Sequence, residues 1–236
     1  PWFDFWLKGK NNGIDKTKKV NVFVMGKNEW KESDVWPLKN TTYTNYFLNK
    51  EFNGEIDSVY SGSLSEKIEN ENSQISFTNN VKNPVPSLGG NTLSIPNGVF
   101  EHSEIDKQCI TFSTGPLENE LEVTGPVSAE IYVNSDNQNS DWVVRLCDID
   151  ESGYSRIVCD GIYRSTGTPG ETQKIYVDMW ATSNMFLKGH KLRVSVTSSC
   201  FPRFDRALNN GSEKSENNIL CGGSNASYIK LPIINN

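Results

Sequence analysis

VSAEIYVNSDNQNSDWVVRLCDIDESGYSRIVCDGIYR, residues 127 to 164, contains three strand-like runs separated by short polar segments. The runs are rich in apolar and β-branched residues, which favour strands. Asp150-Glu151-Ser152-Gly153, between the second and third runs, has the composition of a tight turn. The stretch therefore predicts neighbouring antiparallel strands, and this prediction decides the fold class.

The same pattern continues on both sides of this stretch. Similar runs, rich in β-branched or aromatic residues, cover 43–48, 74–77, 108–112, 120–123, 173–179 and 191–198. Many short strands without long helices between them are typical of a sandwich or jelly roll. We therefore predict a mainly β fold, a jelly-roll β-sandwich that occupies residues 40–236.

The first 39 residues have a different character. The apolar side chains between Trp2 and Leu7 cluster on one side of a predicted helix that ends at Gly9. The run 20–26 is almost wholly apolar, which suits a buried strand of a parallel sheet. Pro37 and the polar residues after it break this pattern. We therefore predict a separate unit over residues 1–39, made of one helix and one strand of an α/β unit.

Composition argues against two kinds of partner and predicts a location. The formal net charge is -6 and the basic residues are scattered, which disfavours nucleic-acid binding. No run approaches the ~18 apolar residues that a membrane helix needs. The N-terminal residues lack the basic and small-residue features of a signal peptide. We therefore predict a cytoplasmic protein without a nucleic-acid or membrane partner.

The cysteines and the acidic residues could each suggest a metal. The acidic segment 148–151, with Asp141 nearby, contains the hard oxygen ligands that Ca²⁺ prefers. Aspartate also initiates β-turns, and the turn alone explains this segment. The five cysteines are odd in number and form no C-x-x-C pair, which argues against zinc ribbons and redox motifs. We predict reduced, buried cysteines, no metal site and no cofactor.

The parts of a serine-hydrolase triad are missing from the sequence. The nucleophile of an α/β-hydrolase needs G-x-S-x-G on a strand-to-helix turn, and that motif does not occur. The nearest sequence, residues 222–226, is interpreted as a polar loop with no strand before it. Of the two histidines, His102 is in a charged segment predicted to be a loop, and His190 opens a predicted strand. We assign no catalytic residue.

Two segments are unusual for a plain sandwich. Residues 83–90 combine two prolines, which stiffen the backbone, with a Gly-Gly pair that permits close backbone approach. Residues 201–206 alternate aromatic and charged side chains directly after an apolar strand. The second segment suits either a contact surface with arginine–carboxylate pairs or an internal clasp at a strand end. Both interpretations stay open.

These features together resemble the CocE/NonD hydrolases. The resemblance covers nearly the whole chain and is carried, in order, by residues 2–9, 22–26, 30, 36–38, 83–90, 121–126, 159–161 and 201–206. That family includes cocaine esterase-like enzymes, X-Pro dipeptidyl-peptidases, α-amino acid ester hydrolases and glutaryl acylases. Its members have an α/β-hydrolase domain followed by a galactose-binding-like jelly roll.

The resemblance implies a domain assignment and a partner. Residues 1–39 would be the last helix and strand of the hydrolase domain, and residues 40–236 the complete jelly roll. The triad would precede this chain, so the parent protein would be a serine hydrolase although the chain alone lacks the catalytic residues. The implied partner is an upstream α/β-hydrolase domain, from the same gene or a second polypeptide, with a homo-oligomer as a further option. The implied substrate is a small ester, amide or X-Pro peptide.

The resemblance also implies two sets of site residues. The Gly-Gly loop would approach the catalytic cleft, so the predicted substrate pocket contains Pro86, Leu88, Gly89, Gly90 and Leu93. The predicted interface with the hydrolase domain contains Trp30, Trp36, Phe201, Arg203, Asp205 and Arg206.

A stand-alone binding module for carbohydrate or another ligand is the alternative function, because jelly rolls often bind such ligands. The apolar run 20–26 argues against it, since an independent module would not need half an α/β unit.

Overall fold

The computed structural model describes residues 1–52, 57–93 and 96–235. In these residues no helix has the length and apolar character that crossing a membrane requires. The α-helices are α1 (Trp2–Lys8) and α2 (Ser103–Asp106). The strands are β1 (Val20–Val24), β2 (Glu29–Ser33), β3 (Thr41–Phe52), β4 (Tyr60–Ser65), β5 (Ser73–Asn80), β6 (Ile110–Ser113), β7 (Leu121–Ser135), β8 (Asn139–Ile149), β9 (Ser155–Thr166), β10 (Gln173–Phe186), β11 (Lys191–Thr197), β12 (Lys214–Cys221) and β13 (Tyr228–Ile234).

The N-terminal helix has the predicted position. α1 ends at Gly9, whose φ of 62° is left-handed and whose N–H bonds back to the carbonyl of Phe5. Glycine commonly ends helices in this way because it adopts the left-handed region without a steric penalty. None of the residues of α1 is buried.

The apolar run that follows forms a hairpin. β1 pairs antiparallel with β2, and Gly26 and Asn28, both at positive φ, turn the chain between them. Of the residues of β1 only Val24 is buried. The predicted buried position in a parallel sheet is therefore not seen within the described residues, because β1 is covered along one edge by a polar strand that sequence reasoning missed. Parallel neighbours from outside this chain stay a prediction.

The other strands surround one apolar core. Hydrogen-bonded neighbours follow the order β5-β12-β7-β13-β3-β4-β6-β11-β8-β9, and β10 pairs with β7. β4 and β6 are parallel, whereas the other pairs in this order are antiparallel. The core side chains alternate along the strands with residues of the outer face. The largest fully buried apolar side chains include Trp142, Phe112, Phe186, Ile131 and Leu192. The predicted jelly-roll β-sandwich class is confirmed.

The strand predictions were incomplete in the polar parts of the chain. The predicted runs 120–123 and 127–133 form one long strand, β7. β4, β12 and β13 were missed, since the serines of β4 and the polar first half of β12 hide the alternation. The interpretation of residues 222–226 was therefore wrong in one respect, because β12 ends directly before them. They contain a 3₁₀ turn, Gly223–Asn225, that leads to β13.

Candidate functional site

A groove of about 390 Å³ lies where the N-terminal hairpin meets the sandwich. Its lining comes from three places: the hairpin, the β9 and β10 strands, and residues 90, 91, 98 and 99. The lining residues include Phe23, Met25, Gly90, Asn91, Val99, Asp160, Met179 and Trp180. The lining is mainly apolar with a few polar groups, which is the usual character of a small-molecule site.

The hairpin is fastened to the sandwich beside this groove. The N–H of Met25 donates to the carbonyl of Ser183 over 3.0 Å, and the N–H of Met185 donates to the carbonyl of Met25 over 2.8 Å. Lys31 on β2 adds a 2.6 Å ion pair with the buried carboxylate of Glu122 on β7. Residues 20–33 therefore form one wall of the groove.

Trp180 projects at the rim of the groove from a bulge in β10. The register against β7 shifts between Asp178 and Ala181, and Trp180 has a left-handed φ of 64° with 61% of its surface exposed. Its N–H donates to Oδ1 of Asp178 over 2.9 Å. Holding a bulky residue in this conformation costs about 1–3 kcal/mol, and such strain is concentrated at functional sites.

The bulge depends on a glycine in the neighbouring strand. A Cβ atom on Gly161 would lie 2.1 Å from the carbonyl oxygen of Asp178. Sequence reasoning missed Trp180, because its alternating strand pattern gives no sign of a bulge. The only available signal was Cys159-Asp160-Gly161, a segment that carried the family resemblance.

The two unusual segments of the sequence contact each other. The N–H of Phe201 donates to the carbonyl of Val85 over 3.1 Å, and the N–H of Ser87 donates to the carbonyl of Phe201 over 2.8 Å. Pro86 lies opposite Phe201 in this short bridge and is exposed. The N–H of Val85 also donates to Oγ of Ser199 over 2.7 Å. The loop is therefore anchored to the end of β11.

The Gly-Gly pair closes the base of the loop that lines the groove. Gly90 and Gly98 exchange backbone hydrogen bonds of 2.8 and 3.1 Å. Gly89 has a φ of 67°, and a Cβ atom there would lie 2.6 Å from the carbonyl oxygen of Gly98. Only glycine suits this position.

The predicted pocket residues therefore lie in different surroundings. Gly90 lines the groove, Gly89 is buried beside it, and Leu88 is half-buried against the small cluster of Val85, Ile105 and Cys109. Leu93 is fully exposed and is not among the residues that line the groove. That these residues and Pro86 contact substrate stays a prediction.

The segment 201–206 makes several internal contacts. Nη1 of Arg203 lies 2.6 Å from both carboxylate oxygens of the buried Asp160. Nη1 of Arg164 lies 3.1 Å from Asp205. Arg206 donates to the carbonyl of Val81, and its guanidinium lies 5.1 Å from the centre of the Phe201 ring. These contacts fit an internal clasp.

The aromatic members of the predicted interface remain accessible. Phe201 and Trp36 are each 40% exposed, and Trp30 is 67% exposed. Trp30 packs edge-on against Phe23, with ring centres 5.4 Å apart. The interface assignment for these residues and for Arg203, Asp205 and Arg206 stays a prediction.

The acidic segment is used for a turn and for pairing. Oδ1 of Asp150 accepts the N–H groups of Ser152 and Tyr154, and its other oxygen pairs with Arg156 over 2.5 Å. Asp148 bonds to Nδ1 of His190 over 2.8 Å. Burial raises the pKa of Asp148 above its ordinary value, against the opposing effect of this bond. In the described part of the chain no three metal-ligating side chains are grouped.

The cysteine prediction is confirmed. All five cysteines are buried and free: Cys109, Cys147, Cys159, Cys200 and Cys221. Burial raises the pKa of Cys109 and of Cys221 to about 12. The thiolate is the reactive form, so burial makes these thiols poor nucleophiles.

Comparison with known families matches residues 12–230 to one family. That family is described as the X-Pro dipeptidyl-peptidase C-terminal non-catalytic domain. The match covers most of the sandwich and the hairpin that precedes it.

Individual relatives agree with this match. Cocaine esterase from Rhodococcus sp. (strain MB1 Bresler) is 36% identical over 259 aligned positions, which cover 99% of this chain and 45% of the esterase. An α-amino acid ester hydrolase superposes with a TM-score of 0.79 at 21% identity, over 99% of this chain and 44% of that one. A CocE/NonD family hydrolase from Staphylococcus aureus superposes with a TM-score of 0.69 at 18% identity, over 99% and 44%. This chain thus spans less than half the length of these relatives.

Proposed function

Because this chain belongs to the family of X-Pro dipeptidyl-peptidase C-terminal non-catalytic domains, we propose that it is the C-terminal portion of a serine hydrolase that cleaves esters or amides. In this proposal an upstream α/β-hydrolase domain carries the triad, and the sandwich forms one wall of the active-site cleft. The substrate is a small ester, amide or X-Pro peptide.

The groove at the hairpin is the observation that carries this proposal. The hairpin residues Phe23 and Met25 and the loop residues Gly90 and Asn91 line the same depression. The resemblance assigns the hairpin to the end of the hydrolase domain. A ligand in this groove would therefore contact the sandwich and the edge of the catalytic domain at once. The backbone hydrogen bonds that anchor Ser87 and Gly90 limit the entropy lost on binding.

The test uses the full-length protein and compares substrates that differ in acyl-chain length. We expect Trp180→Ala to change the ratio of kcat/KM between short and long acyl chains by about 10- to 200-fold, the effect typical of one apolar contact in a pocket. We expect Val99→Ala, at a second apolar residue of the groove lining, to change this ratio as well. Labelling of the active serine by a fluorophosphonate should be unaffected in both variants.

Two matched controls separate a pocket role from a general effect. Tyr176 lies on the same strand as Trp180 and is similarly exposed at 56%, but lines no part of the groove. Ile68 is an exposed aliphatic residue in a different depression, near Lys67 and Glu69. Tyr176→Ala and Ile68→Ala should retain wild-type specificity. If the Trp180 and Val99 variants do so too, the groove is not the substrate pocket.

A further inference from the structure

A second, polar layer lies outside the main core. Along β8 the side chains of Val144 and Leu146 belong to the apolar core. Arg145 and Cys147 alternate with them and therefore point to the opposite face of the sheet. Arg145 is nevertheless fully buried, because the segment that follows the groove loop covers this face.

His102 lies in this covering segment and is 1% exposed. Its backbone N–H donates to the carbonyl of Ser155 on β9 over 2.6 Å, and its own carbonyl accepts the N–H of Asp106 over 2.8 Å. The backbone of His102 is therefore fixed between a strand of the sandwich and α2. This position differs from the charged loop predicted from the sequence.

The imidazole of His102 is attached to the groove loop. Nε2 lies 2.6 Å from the carbonyl oxygen of Leu88. A carbonyl can only accept a hydrogen bond, so Nε2 carries the hydrogen. Leu88 directly precedes Gly89 and Gly90, which form the base of the loop at the groove. The bond therefore holds the backbone beside the glycine pair.

We propose that His102 is a positioning residue, whose neutral imidazole holds the Gly89-Gly90 turn at the edge of the groove and releases it in acid. Both partners of the His102–Leu88 hydrogen bond lie in this chain, so the bond does not depend on the proposed function. Only its consequence for substrate specificity rests on the function proposed above.

The surroundings of His102 oppose a second proton on the ring. Nδ1 is buried and has no hydrogen-bond partner among the described residues. Burial lowers the pKa of His102 below its ordinary value, and Arg145 on β8 lowers it further. The Leu88 carbonyl and the carboxylates of Asp106 on α2 and Asp160 on β9 act in the opposite direction, and the net direction is downward.

This direction gives the sign of the pH effect. A histidine whose pKa is lower in the folded state than in the unfolded chain stabilises the fold above the unfolded value, about 6.5. That stability is lost progressively as the pH falls below about 6.5, since protonation then favours the open form. The Gly89-Gly90 turn that His102 holds should therefore open more often as the pH falls.

Hydrogen exchange of this chain tests whether His102 holds the Gly89-Gly90 turn. Backbone amides of Ser87 and Gly90 flank Leu88 and donate to Phe201 and Gly98 respectively. In the wild type, their protection, corrected for the intrinsic rate at each pH, should fall between pH 7.5 and pH 5.5, by at most about tenfold for a histidine whose unfolded pKa is about 6.5. In His102→Gln the side-chain amide keeps a donor near the Nε2 position and does not titrate. That variant should keep its protection at both values.

His102→Ala should lose the protection at both pH values. The amides of β11 serve as an internal reference, and they should exchange equally in all three proteins. An equal response to pH in wild type and His102→Gln would overturn the proposal, and so would full protection in His102→Ala. If the alanine variant does not fold, the comparison of wild type with His102→Gln still decides.

The specificity consequence is measured separately, in the full-length enzyme. His102→Ala should raise KM for a long-chain ester while serine labelling by a fluorophosphonate persists, and His102→Gln should restore KM. If hydrogen exchange shows that His102 holds the turn but KM does not change, this role of His102 stands and the pocket role in the proposed function fails. If hydrogen exchange shows that His102 does not hold the turn, the inference fails whatever the kinetics show.

Discussion

Arg203 illustrates how a residue noticed for its charge functions inside the fold. Its guanidinium contacts the carboxylate of Asp160, and the two side chains are only 10% and 3% exposed. Next to this pair lies Gly90, where an added Cβ atom would be 3.2 Å from Nη1 of Arg203. The ion pair therefore lies directly behind Gly90 and supports the edge of the groove.

Arg203→Ala should lower the free energy of unfolding by about 3–5 kcal/mol, because it removes the ion-pair partner of a buried carboxylate. Denaturant unfolding of the chain measures this change. The control is Lys82→Ala, which removes the exposed ion pair with Glu213 and should change stability by less than about 1 kcal/mol. Equal stability of the two variants would show that Asp160 is stabilised without Arg203.

Residue-scale features were predictable only where local chemistry decides them. The need for glycine at Gly89 follows from a left-handed turn, and the burial of the cysteines follows from apolar surroundings. Trp180 and His102 could not be found in this way. The bulge under Trp180 depends on the distant Gly161, and the burial of His102 depends on a face of β8 that the sequence pattern does not distinguish.

At the scale of elements, α1 and the hairpin present an unusual amount of exposed aromatic surface. Trp2, Phe3 and Trp6 are 57%, 70% and 59% exposed. Phe23 and Trp30 on the hairpin are also accessible. Large exposed apolar patches mark interaction sites or cause association. In the proposed function the hydrolase domain covers this surface.

The isolated chain should therefore associate with itself as its concentration rises. Sedimentation velocity over a range of concentrations measures this association. Replacing Trp2 and Trp6 together by serine should weaken it, whereas Tyr154→Ser, which removes an aromatic residue exposed to 54% elsewhere, should not. A wild-type chain that sediments as a monomer at every concentration would contradict the prediction.

The elements also show which sequence signals are reliable. The helix was predicted correctly because its apolar spacing and its terminal glycine both indicate a helix that ends at Gly9. β2 was missed because Glu29–Ser33 is held by pairing with β1 rather than by an apolar face of its own. The strands β12 and β13 were missed for a related reason, since their partners are 82 to 193 residues away in the sequence.

At the scale of the whole molecule, the sandwich class followed from the number and spacing of strands, whereas the strand order did not.

The chain should not hydrolyse p-nitrophenyl acetate above the rate without protein. His102 bonds to a carbonyl and His190 to Asp148, and neither ring bonds to a serine hydroxyl within the described residues. A triad needs that contact.

The assay compares the isolated chain with the full-length protein under the same conditions. A fluorophosphonate probe should label the full-length protein and leave the isolated chain unlabelled. Labelling of any serine in the chain alone would contradict both the prediction and the assignment of the triad to an upstream domain.

The position of β13 has a consequence for biosynthesis. This strand lies between β3 and β7, with Tyr228 opposite Phe47 on one side and Glu130 on the other. β3 is translated nearly two hundred residues before its neighbour exists. The sheet therefore cannot be completed while the ribosome is still adding residues before 234, and the edges of β3 and β7 that pair with β13 stay unpaired until β13 leaves the exit tunnel. Such long-range pairing makes folding slow and leaves a period in which a nascent-chain chaperone has something to bind.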